Sequence, residues 1–486
     1  MMEKQTGASQ KPFRVVIVGA GIVGLSLSHA LQLAKIDHVV LEKHREIVSV
    51  RGAALMIWPG IARVFDQFGI LKDIQATFTP VSAEYDRYPD GSVYCVGDNV
   101  QTVGKAFELP VILFDRMRCV THLYEGLPDQ SFIRTNSRVD RVEHTKTGVK
   151  VYLTDGTVEE GDIVVGADGV HSIVKQLMWD YAAKNESDAL PELHKNPLYS
   201  DFKAIFGTSE MKDMPELGPS DVHVVNGYNT NKLVFTQPGK VLWALMYRDE
   251  HEQPPTPFRP TQQEQDEIAA RFKDLKLVGN ITVGDLYKNK TRAGVLSLEE
   301  GILNKWHSGR MVLVGDSAHK MTADLGMGAN TAIESAVVLV NLLHGALKDD
   351  PNRHFSQDEI SDLFAKYQKK RYPAAKIWME LSGKVTRSRS YESLWARFFV
   401  TQIAPMPWMQ KMKSAKFIQV LAKTAKLDFV STRTINENAE GWKQVPENKG
   451  NGASWVAYAL VTSVVGVGLS YAAVLKWGLP ASFSMA

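Results

Sequence analysis

Residues 13–18, Phe-Arg-Val-Val-Ile-Val, are a run rich in β-branched residues, the pattern of a strand buried on both faces of a parallel sheet. A glycine turn follows at residues 19–24. Leu25 to Lys35 carry a helical pattern, and His38 to Glu42 a second buried strand, so the chain opens with one βαβ unit. Helical patterns recur around Gly60–Phe68 and Arg116–Tyr124. Residues 138–170 predict a β-meander: Arg138–His144, Val149–Leu153, a turn at Thr154-Asp155-Gly156, then a buried strand over Asp162–Gly166. Residues 198–295 alternate strand and loop, with Val241–Tyr247 the clearest strand and one helix over Gln262–Lys273. A buried strand returns at 310–315, followed by a glycine-rich turn and a helix from about Asn330 to Leu347. Helices continue from about Ser356 to Lys426.

This order predicts an α/β protein. Its Rossmann-like nucleotide-binding domain is discontinuous and a mostly-β domain is inserted into it, because a related strand and turn recur far along the chain. The expected divisions are a disordered lead-in at 1–11, the first part of the nucleotide domain at 12–180, an inserted β substrate domain at 181–295, and the second part at 296–385. A helical region at 386–430 and a polar linker at 431–454 follow. From Gly450 to Leu475 there is no charged residue, and 455–475 matches the roughly 20 apolar residues that cross a bilayer core. Trp455, Tyr458, Tyr471 and Trp477 flank that stretch as interfacial aromatics, and Lys449 and Lys476 bracket it. The expectation is a single transmembrane helix near the C-terminus, with the endoplasmic reticulum as a candidate membrane.

Composition changes this picture little. The chain is 44% hydrophobic and 23% charged with a net charge of +2, which gives no case for nucleic acid as a bulk partner. Cys95 and Cys119 make neither a disulfide framework nor a metal cluster and read as buried spectators. The N-terminus is polar and has no apolar core of a cleaved signal peptide. Sequons begin at Asn185, Asn280 and Asn289 and are read as chance occurrences.

Three motifs carry chemistry. In the first, Gly19, Gly21 and Gly24 form G-x-G-x-x-G after a strand and before a helix. They would permit a tight turn, close approach of a pyrophosphate, and helix–strand packing. The helix N-terminus would meet the phosphates, and Glu42, at the end of the next strand, the ribose hydroxyls of an adenosine. In the second, a buried strand delivers Gly166-Ala167-Asp168-Gly169, where Asp168 and Gly169 can turn the chain beside the phosphates. In the third, the strand at 311–314 delivers Gly315-Asp316, with Asp316 placed to meet a polyol chain. Gly326, Gly328 and Ala329 then present backbone to an electron-poor ring or a phosphate. His319 has no Cys, His or Glu cluster around it, so no metal site is expected.

These segments, in this order, resemble the group A flavoprotein monooxygenases of the p-hydroxybenzoate hydroxylase fold, over roughly residues 12–385. The resemblance implies FAD held by Gly19, Gly21, Gly24, Glu42, Asp168, Gly169, Asp316, Gly326, Gly328 and Ala329. It adds Arg116, which opens an R-x-x-L-x-x-x-L pattern with Cys119 in place of the first Leu and Leu123 keeping the second. It also adds Gly52 and Met56 from the run Val50 to Met56. The chain departs from the family at Lys175, where an Arg is usual, at Ala323, usually Pro, and at Glu334-Ser335, usually Glu-Asp. The combination of VLEKHREI, LFDR, VVGADGVHS and GDSAHKMTADLGMGAN with the apolar C-terminal stretch is most similar to the fungal paxilline-type FAD-dependent monooxygenases.

That resemblance implies NAD(P)H and O2 as co-substrates, a flavin C4a-hydroperoxide, and epoxidation of a prenyl alkene of a terpenoid or meroterpenoid in secondary metabolism. The substrate would be a small hydrophobic molecule, and a membrane tail suits it. Alternatives of the same fold are an aromatic-ring hydroxylase and a non-oxygenating flavin reductase or dehydrogenase; a non-catalytic FAD-binding scaffold is a further one. In the inserted domain Tyr228 is the candidate catalytic residue, and Trp243 is read first as sheet packing.

Overall fold

The computed structural model describes residues 11–48, 54–186, 196–212 and 214–444. The stretch proposed as a transmembrane helix, Gly52 and the lead-in through residue 10 lie outside the described residues.

The nucleotide-binding part is a six-stranded sheet, ordered His307–Ser308, Met311–Leu313, Ile163–Gly166, Arg14–Val18, Asp37–Leu41, Ile133–Arg134. Five of these strands run parallel, and only the two-residue strand at His307 is antiparallel. Strands far apart in sequence are therefore immediate neighbours. Their apolar side chains are buried, covered by helices and by the strand Val158–Gly161 packed against them. The helices Ile22–Leu33 and Gly328–Leu347 pack against each other. The second is the one described helix long and apolar enough to cross a membrane, but most of it is buried in the core. It is a core helix of this domain.

A three-stranded meander, Val139–His144, Val149–Leu153 and Val158–Gly161, forms close to the predicted positions. The second large sheet has eight strands: His319–Lys320, Lys290–Ile302, Tyr199–Glu210, Lys240–Glu252, Thr230–Gln237, Asp221–Gly227, Ala83–Arg87 and Val93–Gly97. A boundary at 180 therefore does not separate the two sheets. Ala83–Arg87 pairs parallel with Asp221–Gly227, and the chain must leave the nucleotide domain at 83 and return before 112. One face of this sheet packs toward the nucleotide domain. The other buries Val241, Trp243, Leu245 and Tyr247 beneath the helices Gln262–Arg271 and Val283–Lys288.

The C-terminal helices cover the junction. Gln357–Arg389 runs 33 residues from a Ser356/Glu359 capping box. It is followed by Leu394–Phe398, one π-helical turn at Phe399–Ile403, and Pro407–Leu421. The described part of the expected linker, 431–444, is not a free tether. The Asp66 carboxylate accepts from the backbone N–H of Arg433 and Thr434 and from the Thr434 hydroxyl, and Gln67 bonds Leu427 and Val430. Trp442 packs edge-on against Phe107, 4.4 Å between centroids, under the Arg63 guanidinium. The polar composition of this stretch reflects hydrogen bonding to the helix Pro59–Phe68, which a sequence pattern does not distinguish from exposure.

Candidate active site

The three motifs converge at the carboxyl ends of the parallel strands, where open α/β sheets bind ligands. Val18 ends in Gly19, Leu41 in Glu42, Gly166 in Ala167-Asp168, and Leu313 leads through Val314 to Gly315-Asp316. Gly19 has φ +102°, and a Cβ there would stand 2.8 Å from the Ala167 carbonyl oxygen and 2.9 Å from Asp168 Cα. The first two motifs thus lie back to back. A Cβ on Gly24 would meet the Gly19 carbonyl oxygen at 1.8 Å, so only glycine allows the helix to sit on the turn. Gly21 faces open space and N-caps the helix Ile22–Leu33 without any side-chain cap. Its first turn has no acidic residue, so free N–H groups and a positive helix end point outward.

Glu42 is held by two backbone donors. Its Oε2 accepts from Ala20 N–H at 2.9 Å and its Oε1 from His44 N–H at 2.9 Å. It braces the glycine loop from inside as well as standing where the resemblance puts a ribose contact. Asp168 caps the next helix: Oδ2 accepts from Ile173 N–H at 2.7 Å, while buried Oδ1 has no partner among the described residues. Burial pushes its carboxyl above the usual range, against the hydrogen bonds that pull it down. Gly169 follows at φ +81°. Lys175 donates to the Val170 carbonyl at 2.7 Å, a hydrogen bond that closes the turn, and burial lowers its pKa.

The third motif reaches the same edge. Asp316 accepts from Lys320 Nζ at 2.5 Å. Burial acts upward most strongly on the Asp316 carboxyl, but the charge and hydrogen bond of Lys320, with His319 and Arg116, together leave the group below its usual value. Arg116 contributes to the same downward pull and is itself exposed, with no hydrogen bond or ion pair among the described residues. Asp115 caps the Arg116 helix through Met117 N–H and pairs with Arg292. Gly326, at φ +60°, lies so close to Met56 that a Cβ would come within 2.9 Å of Met56 Cβ. Gly328 and Ala329 open the helix Gly328–Leu347, which has no side-chain cap and no acid in its first turn.

Sequence reasoning missed the residue that ties this end together. Asn330 Nδ2 donates to the carbonyls of Met56 (2.8 Å) and Gly326 (2.7 Å), and Oδ1 accepts from Trp58 N–H (3.0 Å). Its position directly after the glycine run was the available signal. Glu334, beside the departure at Ser335, pairs with Arg371 at 2.9 Å and accepts from Ala425 N–H. His319 is buried against Trp306 and Ser335, and burial drops its pKa to about 3. No group of three metal-ligating side chains occurs among the described residues. Both cysteines are buried free thiols.

Tyr228 is not brought to the site. It sits on the tip between Asp221–Gly227 and Thr230–Gln237, is 55% exposed, and packs against Tyr391 with its hydroxyl on Arg397. A turn residue points away from the sheet face that its neighbours share. Trp243 donates to Ser209 Oγ at 2.8 Å and packs on the outer face, as a sheet residue.

Between the two sheets lies a cavity of about 310 Å3. Met56, Trp58, Leu325 and Gly326 line it from the glycine cradle, and Val224, Leu233 and Phe235 from the large sheet. Leu381, Val385 and Phe417 close the helical side. Polar groups, Glu84, Asp86, Tyr94, Asn226, Arg389 and Lys413, also reach it. Sequence reasoning found none of these.

The uncapped helix at Gly21, the unpartnered Asp168 oxygen, the exposed Arg116 cation and the close-packed glycines fit a long, phosphate-bearing dinucleotide lying along the strand ends. The FAD binding domain family model matches residues 13–380. The FAD-dependent monooxygenase ausM of Penicillium brasilianum is 37% identical over 380 residues, 77% of this chain and 79% of that one. The FAD-dependent monooxygenase atmM of Aspergillus flavus is 31% identical over 467 residues, 94% of each. Among solved structures, Klebsiella pneumoniae HpxO complexed with FAD and uric acid matches with a TM-score of 0.62 at 20% identity, covering 82% of this chain and 93% of that one. CtdE in complex with FAD and substrate 4 matches at 0.63 and 15%, covering 94% and 100%.

Proposed function

This chain belongs to the FAD binding domain family and is an FAD-dependent monooxygenase, and from that premise we propose that it epoxidises a prenyl alkene of a terpenoid or meroterpenoid intermediate in fungal secondary metabolism. The balanced reaction takes alkene, O2, NAD(P)H and a proton to epoxide, NAD(P)+ and water. FAD, when bound, would supply the two-electron transfer and the activation of O2.

The observation that carries this reading is the apolar wall beside the glycine cradle. Met56, Trp58, Leu325 and Phe417 face the cavity there. Asp324, the acid in that wall, is occupied by Thr386 and Arg389. An alkene needs burial and alignment from such a wall, not a base. The protein's own tasks follow from the geometry. Gly21 and the helix behind it would hold the pyrophosphate, Glu42 the ribose, and Asp316 the polyol chain. Asn330 fixes Met56 against Gly326, and with them the wall on which the alkene lies. The apolar wall beside the glycine cradle limits the access of water to the reacting atoms.

Anaerobic mixing with NADH or NADPH should bleach the flavin absorbance. Admission of air with a prenylated substrate should then yield a product heavier by one oxygen atom. Hydroxylation of an aromatic ring is the second reading, supported by Glu84 and Asp86 inside the cavity, where a carboxylate is available as a base for a phenol. Product structure separates the two.

The apolar stretch 455–475 supports a further part of the proposal, that the enzyme is held at a membrane by one span, where a greasy substrate partitions.

A further inference from the structure

The cavity face of the large sheet grades from apolar to polar along its cross-strand rows. One row runs Ala244, Leu233, Val224, Asp86, and a second Leu242, Phe235, Val222, Glu84. Asn226 continues the Val222–Val224 face by one more step of two residues. Arg389 and Lys413 approach from the helical side.

Some of these polar groups already have partners. Glu84 accepts from Val100 N–H at 2.6 Å, Arg389 pairs with Asp324, and the Tyr94 hydroxyl accepts from Asn226 Nδ2 at 2.5 Å. Asp86, Lys413 and the amide oxygen of Asn226 do not. Asp86 and Lys413 have neither a hydrogen bond nor an ion pair among the described residues, although each lies within the other's field. Asn226 is fully buried, and its Oδ1 is without a partner among the described residues. A carboxylate and an ammonium half-buried on the wall of a cavity and not in contact with each other incur part of the desolvation cost without the contact that offsets it. Burial accordingly acts upward on the Asp86 carboxyl and downward on the Lys413 ammonium.

We infer that Asp86, Lys413 and Asn226 recognise the polar head of the substrate, and that this head is an uncharged group that both donates and accepts a hydrogen bond, such as a phenol, enol or alcohol. The head donates its one O–H to Asp86 or to the free Asn226 Oδ1, and accepts from Lys413. A carboxylate head would oppose Asp86, and a cationic head would oppose Lys413. The apolar part of the molecule then follows the rows through Val224 and Leu233 toward Met56 and Leu325. Head recognition thereby selects which alkene of a chain reaches the cradle. The inference rests on the reading that the substrate is prenylated.

The test uses the FAD-loaded enzyme and three probes: 4-geranylphenol, its methyl ether and geranylbenzene. Calorimetric dissociation constants are expected to favour the phenol over the ether by roughly tenfold, the scale of one buried hydrogen bond to a charged group. Lys413→Met and Asp86→Leu should bring the phenol to the level of the ether while geranylbenzene binds as in wild type, which also shows that the variants are folded. Equal binding of phenol and ether by the wild-type enzyme overturns the inference without needing any variant. Full discrimination surviving both substitutions overturns it as well. Product analysis of the wild-type reaction reports separately on the reaction. Ring hydroxylation with intact head discrimination sinks the epoxidation reading alone, whereas epoxide formation without discrimination sinks the head site alone.

Discussion

Asn330 offers the sharpest structural perturbation, because one buried side chain makes three hydrogen bonds, two of them to a segment about 270 residues away and one within its own segment. In Asn330→Ala, Trp58 N–H is left unpaired in a buried position, while the carbonyls of Met56 and Gly326 are partly accessible and can recruit water. One unsatisfied buried donor and two weakened acceptors together cost about 3 kcal/mol. Asn330→Asp keeps the shape and the acceptor for Trp58 N–H. It replaces the donor with a carboxylate oxygen facing two carbonyls at 2.7–2.8 Å, and should be worse than alanine. The folded state then favours the protonated form, so the aspartate's folded pKa is raised. Its penalty is small below the unfolded value, near about 4, and grows as pH rises toward the folded value. Urea unfolding of the FAD-free protein, with FAD affinity by flavin fluorescence, measures both effects. Alanine and aspartate variants that match wild type in stability and FAD affinity would refute the role given to Asn330.

Gly24→Ala should give protein that purifies without flavin colour, because the new Cβ would lie 1.8 Å from the Gly19 carbonyl oxygen; the ratio of flavin to protein absorbance reads this directly. Glu42→Ala removes two charge-assisted acceptor bonds from the glycine loop and should weaken FAD binding by roughly ten- to a hundredfold in equilibrium dialysis. Burial raises the Glu84 carboxyl to about 7. Its neutral form is favoured on folding, so wild type should lose up to about 3 kcal/mol relative to Glu84→Gln between the unfolded value, about 4.3, and about pH 7; parallel denaturation curves across that window would contradict this. Tyr228→Phe should leave kcat/KM within about twofold of wild type, since the residue lies outside the cavity and a conservative exposed change is normally close to neutral.

The nucleotide-binding half was legible because its signals are local. Gly19, Gly21 and Gly24 sit at fixed spacing in one strand–turn–helix, where Gly24 meets a steric demand set by that turn itself, and Asp168 and Asp316 follow strands whose apolar runs announce burial. The cavity was not legible for the opposite reason. In Ala-Glu-Tyr-Asp-Arg at 83–87 the acids alternate with large polar residues, a pattern that resembles a solvent-facing strand. Glu84 and Asp86 point inward only because the strand pairs with Asp221–Gly227, far away in sequence. Lys413 and Arg389 sit on helices whose sequences show mixed polarity, and only the tertiary fold closes them over the sheet. Tyr228 failed as a candidate through the same gap: strand periodicity does not say where a hairpin turns. Asn330 acts through backbone carbonyls, which leave no trace in side-chain patterning.

Epoxidation as proposed inserts one atom of O2 into a prenyl alkene. Turnover of a prenylated substrate under isotopically labelled O2, with mass and NMR analysis of the product, tests it most directly. The expected product is an epoxide that carries one labelled oxygen and forms in step with NAD(P)H oxidation. NAD(P)H consumption that yields hydrogen peroxide and unchanged substrate, or a labelled ring hydroxyl with the alkene intact, would contradict it.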